Sequence, residues 1–109
     1  MKSRPAKYRN RPTEFRGEVF DSKREARRYQ DLLLLQAAGE ISGLRRQVKF
    51  ELIPKTDRFQ AGHYVADFVY TDNRTGREVV EDSKGCKTAE YRWKKKMMYA
   101  VHGILIFES

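Results

Sequence analysis

Val79-Val80-Glu81-Asp82-Ser83-Lys84-Gly85 is the stretch whose reading decides the fold. A β-strand turns successive side chains to opposite faces. On that pattern Val80, Asp82 and Lys84 share one face, and Val79, Glu81 and Ser83 share the other. An acid and an amine two residues apart then stand side by side. Gly85 releases the chain, and a strongly basic helical stretch follows.

The neighbouring segments give this strand its partners. Asp72-Asn73-Arg74-Thr75-Gly76 is a turn of the Asn/Gly kind, so Arg77 to Lys84 returns against a strand from His63 to Thr71. In that earlier strand Val65, Asp67 and Val69 share one face, and Tyr64, Ala66, Phe68 and Tyr70 share the other. Asp67 and Asp82 are nearly symmetric about the turn. Opposed residues of an antiparallel pair have Cβ atoms about 5 Å apart and face the same way. Two carboxylates at that distance raise each other's proton affinity unless a cation lies between them.

Leu44 to Ile53 alternates apolar and polar residues and reads as a further strand, stopped by Pro54. Before it, Ser22 with Glu25 forms a capping-box pattern. A helix should run from there to about Ala38, with Gly39 as its stop. Ala26, Tyr29, Leu32, Leu33 and Gln36 make its inner face, and Leu34 and Leu35 widen the apolar surface beyond one stripe. Phe15 to Phe20 is a short extended piece with a turn at Gly17. Thr88 is a second N-cap, followed by an Ala89, Trp93, Met97 and Ala100 stripe that reads as core packing. His102-Gly103 ends that helix. Ile104 to Phe107 is continuously apolar, a final strand buried on both faces and parallel to an earlier one. The expected class is α+β, a mixed sheet flanked by helices in the order α-β-β-β-α-β.

The 109 residues make one domain, residues 14–109, preceded by a flexible basic arm over residues 1–13 that carries five cations and no acid. With 23 Lys+Arg against 15 Asp+Glu the net charge is +8, the footprint of a nucleic-acid binder. Cys86 is the single cysteine, which excludes an internal disulfide and a cysteine-rich zinc site and fits a reducing cytoplasm. No apolar run approaches a membrane span, and the N-terminus lacks the apolar core of a secretory signal.

The pattern Asp67, then Asp82-Ser83-Lys84, together with the element order, resembles the PD-(D/E)XK nuclease superfamily and its restriction-endonuclease-like core. Tyr64-Val65-Ala66-Asp67-Phe68-Val69-Tyr70, Val80-Glu81-Asp82-Ser83-Lys84-Gly85 and Lys87-Thr88-Ala89-Glu90-Tyr91 are similar to a small phage-associated family of that fold. The resemblance implies a Mg²⁺-dependent endonuclease, with Mn²⁺ as a substitute ion, working in the cytoplasm, that of a bacterial host if the protein is phage-encoded. It implies Asp67 and Asp82 as metal ligands and Lys84 as the catalytic lysine. Superfamily members of this size that serve recombination resemble Holliday-junction resolvases, which act on branched DNA as homodimers.

The backbone carbonyl of Ser83 is placed to be a further ligand. The resemblance also implies a metal-site glutamate on the first helix, and Glu25 is at the matching place; read from the residues alone it is the third member of the capping box. Gln47 reads as a surface residue, with contact to the substrate or to the metal's water shell as the alternative. Lys87, Arg92, Lys94 and Lys95 are candidates for tracking DNA phosphates, with Arg45, Arg46, Arg27 and Arg28 as additional cations. The competing readings are a non-catalytic nucleic-acid-binding module in which the acids and Lys84 form a structural ion-pair cluster, and a nuclease with a different DNA or RNA target.

Overall fold

The computed structural model describes residues 12–85 and 87–109. The basic arm, apart from Pro12 and Thr13, and Cys86 lie outside the described residues. The chain order is β1 (Thr13–Phe15), β2 (Glu18–Phe20), α1 (Lys23–Ala37), β3 (Ile41–Ile53), β4 (Gly62–Asp72), β5 (Arg77–Asp82), α2 (Ala89–His102) and β6 (Phe107–Glu108). The expected α-β-β-β-α-β order is present, with a small hairpin added in front. That hairpin turns on Arg16 and Gly17, both at positive φ (54° and 81°), as a tight two-residue connection requires.

The main sheet has the order β3-β4-β5-β6, antiparallel except for the parallel β5–β6 pair. Each helix starts where a hydroxyl satisfies a free backbone donor: Ser22 accepts from Glu25 N at 3.2 Å, and Thr88 accepts from Tyr91 N at 3.1 Å. Gly103 closes α2 in the left-handed region. One core joins Tyr91 and Met98 of α2 to Leu52, Tyr64, Ala66, Val69, Val80 and Ile106. The other joins Leu32 and Tyr29 of α1 to Ile41, Phe68, Tyr70 and Val79. Val79 and Val80 go to different cores, so the helices cover opposite faces of the sheet. No helix among the described residues is long and apolar enough to cross a membrane.

Four expectations are corrected. Tyr64, Ala66, Phe68 and Tyr70 do not share a face: the first two pack under α2 and the last two under α1. The β3–β4 ladder skips Gln47 and Asp67, while Val48↔Ala66 and Arg46↔Phe68 stay in register on either side. Gln47 has φ 53°, so one out-of-phase residue in each strand exchanges the faces without shifting the pairing. β5 ends at Asp82, which places Lys84 in the connection after the strand. The inner face of α2 is Tyr91 and Met98, with Met97 half-buried; Trp93 is 53% exposed and Ala89 and Ala100 are exposed. The final strand is two residues long at the sheet edge, where Ile106 is buried but Leu105 and Phe107 are exposed.

Glu81 is buried completely under α1. Arg28 meets it with Nε–Oε2 at 2.5 Å and Nη2–Oε1 at 3.2 Å, and the Tyr70 hydroxyl donates to Oε1 at 2.6 Å. Removing one partner of a buried ion pair strands the other charge, at a cost of about 3–5 kcal/mol. Arg28→Ala should therefore lower stability by about that amount in chemical denaturation, whereas Leu34→Ala, at a side chain 71% exposed, should stay within about 0.5 kcal/mol of the parent.

Candidate active site

The point where β3 and β4 exchange faces is also where the acids gather. Phe68 pairs with Glu81, and the same register extended by one step sets Asp67 against Asp82. Both acids are buried, at 9% and 0% exposure. Asp67 Oδ2 accepts from the backbone N–H of Ser83 at 2.8 Å. The Tyr64 hydroxyl donates to Asp82 Oδ2. Asp82 Oδ1 has no hydrogen-bond partner among the described residues; the nearest cation is Lys84, its Nζ at 3.7 Å.

Glu25 arrives from the first turn of α1, buried to 3% exposure. Its Oε2 accepts from Gln47 Nε2 at 3.2 Å and from Arg46 Nη2 at 3.4 Å. Of its two readings, the cap is satisfied by Ser22 while the carboxylate itself reaches across to β3. Its pKa is raised, chiefly by burial, with Arg46 opposing. Asp67 is pushed up to about 8, first by burial and then by the neighbouring charges of Asp82 and Glu25. Arg46 answers Glu25 and Lys84 stands 3.7 Å from Asp82, so of the three acids in this region Asp67 is the one with no ion pair among the described residues.

Lys84 is the amine of this site. Its ammonium lies 5.4 Å from the centre of the Tyr91 ring, a cation–π contact that holds the flexible side chain. The Tyr91 hydroxyl in turn donates to Glu108 Oε2 at 2.7 Å, and Lys95 meets the same oxygen at 3.0 Å. Tyr91 first, then Lys95, hold the Glu108 carboxyl below the usual range. Tyr64 and Tyr91 both have raised pKa values, burial first and their carboxylate partners next, so each hydroxyl stays a donor.

The sequence reading missed Tyr64, Tyr91 and Glu108 and set Gln47 aside as a surface residue. Strict alternation put Tyr64 on the wrong face, because nothing in the local sequence announces the exchange at Gln47 and Asp67. The candidate phosphate-tracking cations are divided by the structure. Lys87 and Lys95 both pair with Glu108, Lys94 with Glu90 and Arg45 with Glu78. Arg92 and Arg27 are exposed and make no ion pair among the described residues. Arg46 is anchored by Glu18 at 2.6 Å and lies 3.8 Å over the Phe20 ring, and Arg28 is held by Glu81. The last two are internal struts of the fold.

Among the described residues no three His, Cys, Asp or Glu side chains converge as a ligand set. Two facing carboxylates with one orphaned oxygen still suit a hard cation that keeps most of its waters, as Mg²⁺ does. The raised pKa of Asp67 has a consequence without any metal. Below the unfolded value near 4 both states are protonated, and burial of the neutral acid costs little. Between that value and about 8 the unfolded chain ionises first, so stability falls as pH rises. In EDTA the melting temperature should decline from pH 4 to pH 8, and Asp67→Asn should flatten the decline and melt higher than the parent at pH 8.

A family model described as "Protein of unknown function (DUF1064)" matches residues 5–104. No curated protein and no solved structure matches the chain. The match spans nearly the whole length, both helices' starts and every strand from β1 to β5, and the chain belongs to that family.

Proposed function

We propose that the protein is a metal-dependent DNA endonuclease that hydrolyses phosphodiesters, with branched DNA such as a four-way junction as its substrate. One observation carries this reading: Asp82 is fully buried, keeps Oδ1 without a hydrogen bond, and has Lys84 Nζ 3.7 Å from that oxygen, beside Asp67. A purely structural acid would be expected to have both oxygens satisfied.

Asp67, Asp82 and the carbonyl of Ser83 would hold a Mg²⁺ ion. Bound there, the ion supplies Lewis acidity at the phosphate and lowers the pKa of a water. The remaining work falls to the chain. Tyr64 fixes the Asp82 carboxylate through Oδ2 and leaves Oδ1 turned toward Lys84. Ser83 N–H fixes Asp67 in the same manner. Lys84, steadied over Tyr91, stabilises negative charge that develops on the phosphate. The lysine is 38% exposed, open enough to meet a backbone from solvent. Net charge of +8 brings the polyanion to the surface.

A second reading, a binding module without catalysis, is favoured by the same contacts: the Tyr64 hydroxyl and the Ser83 N–H each donate to one acid, and the Lys84 ammonium offsets part of the pair's charge. The two readings separate on metal and on branch structure. A labelled four-way junction and a matched linear duplex, each incubated with Mg²⁺ or with EDTA, should show cutting of the junction in Mg²⁺ alone. Absence of cleavage in every lane favours the binding module, and equal cutting of both DNAs removes the preference for branches. Asp82→Asn and Lys84→Ala should each slow cutting by about 100-fold or more while gel-shift affinity for the junction in EDTA is retained.

A further inference from the structure

The first turn and a half of α1 has a charge arrangement that helix stability does not explain. Lys23, Arg24, Arg27 and Arg28 crowd the N-terminal end, and the last turn carries no basic residue. The N-terminus of a helix is its positive end, so cations are disfavoured there and favoured at the other end. The one acid in that turn, Glu25, is buried and faces β3. Arg28 is answered by Glu81, and Arg24 donates to the Ser109 carbonyl at 2.9 Å. Lys23 and Arg27 are exposed and have no ion pair among the described residues.

These four cations line a cavity of about 330 Å³ together with Ser83, Ser109 and Asp31. Asp31 is its single side-chain carboxylate, and no ion pair joins it to the cations among the described residues. Ser83 gives a second and independent observation. It is 7% exposed, and its Oγ is buried with no hydrogen-bond partner. A buried hydroxyl without a partner is costly and calls for one. The Arg24 side chain reaches to 3.9 Å from the position a Cβ on Gly85 would take, so the basin abuts the segment that follows β5.

We infer that this basin is a phosphate-binding subsite, built by Lys23, Arg24, Arg27 and the Ser83 hydroxyl, that takes a backbone phosphate of the nucleic acid. The inference rests on the nucleic-acid part of the proposed function and extends it to a surface separate from the acid pair. Ser83 joins the two places. Its N–H holds Asp67 on one side of the strand end, and the residue lines the basin with its buried hydroxyl still unpartnered. A DNA strand contacting Lys84 is thereby gripped a second time beside the β5 end, which fixes its register without reading its sequence.

The test is fluorescence anisotropy of a labelled DNA duplex in EDTA, with salt varied over about 50 to 200 mM. Each phosphate contact contributes about 0.9 to the slope of log affinity against log salt. Lys23→Ala/Arg27→Ala, which removes that one phosphate contact, should reduce the slope by about 0.9 and weaken binding by on the order of tenfold near 0.1 M salt. Arg74→Ala/Arg77→Ala removes the same charge at the other end of β5 and should leave the slope within about 0.3 of the parent's. An unchanged slope in the first variant, or an equal loss in both, overturns the subsite. A parent that cuts DNA while the first variant keeps its slope refutes the subsite alone. A parent that never cuts, yet loses slope in the first variant only, refutes catalysis and supports the subsite. A parent that binds no DNA refutes both.

Discussion

Two consecutive buried carboxylates, Glu81 and Asp82, set the constraint that the rest of this structure meets. Being adjacent on a strand, they point to opposite faces, so no single counter-group can serve both. Each face must bring its own, because an uncompensated charge cannot be buried cheaply. On the α1 side Arg28 and Tyr70 satisfy Glu81 completely. On the α2 side Tyr64 satisfies half of Asp82 and Lys84 stands off from the other half. The fold is thus neutral and closed on one face of β5, and electrostatically incomplete on the other.

That asymmetry separates structure from chemistry within one dipeptide. Glu81 and Arg28 clamp the first helix onto the sheet, and the clamp also locates Glu25, one turn earlier on α1. The acids of the site are therefore carried by three elements, α1, β4 and β5, whose relative placement is fixed by an ion pair that does not itself belong to the site. The face exchange at Gln47 and Asp67 contributes the rest. It brings Tyr64 to the same side as Asp82 while keeping Phe68 and Tyr70 under α1, so one strand furnishes both the hydroxyl that orients Asp82 and the apolar floor of the opposite core.

Much of this was legible in the residues, for physical reasons that can be named. The Ser22 and Thr88 caps, the Asn/Gly turn and the crossover to a parallel edge follow from local rules that tertiary packing did not override. The symmetric spacing of Asp67 and Asp82 about their turn was sufficient to place them together, and alternation was sufficient to put Glu81 on the far side. Alternation failed where the backbone left the regular strand, at a glutamine that no propensity marks as left-handed. Helical spacing in α2 misled for a different reason. The Ala89, Trp93, Met97 and Ala100 stripe is regular, but Tyr91 offers both a ring for Lys84 and a hydroxyl for Glu108, and that pair of contacts faces inward. The short apolar end of the chain gave no sign that Ile106 is buried and Ile104 partly covered while Leu105 and Phe107 stay exposed.

The bond from the Ser83 backbone to Asp67 has a bearing on how such a site can vary over generations. Its donor belongs to the main chain, so every residue except proline preserves it. Position 83 can then drift, or be selected for whatever its side chain does in the basin beside α1, without displacing the carboxylate. Asp82 has no such freedom, since its own partner is the Tyr64 side chain and either residue can be lost by one codon change. Inheritance of the acid pair is consequently lopsided: one member is secured by the polypeptide itself, and the other by a tyrosine that must be kept alongside it.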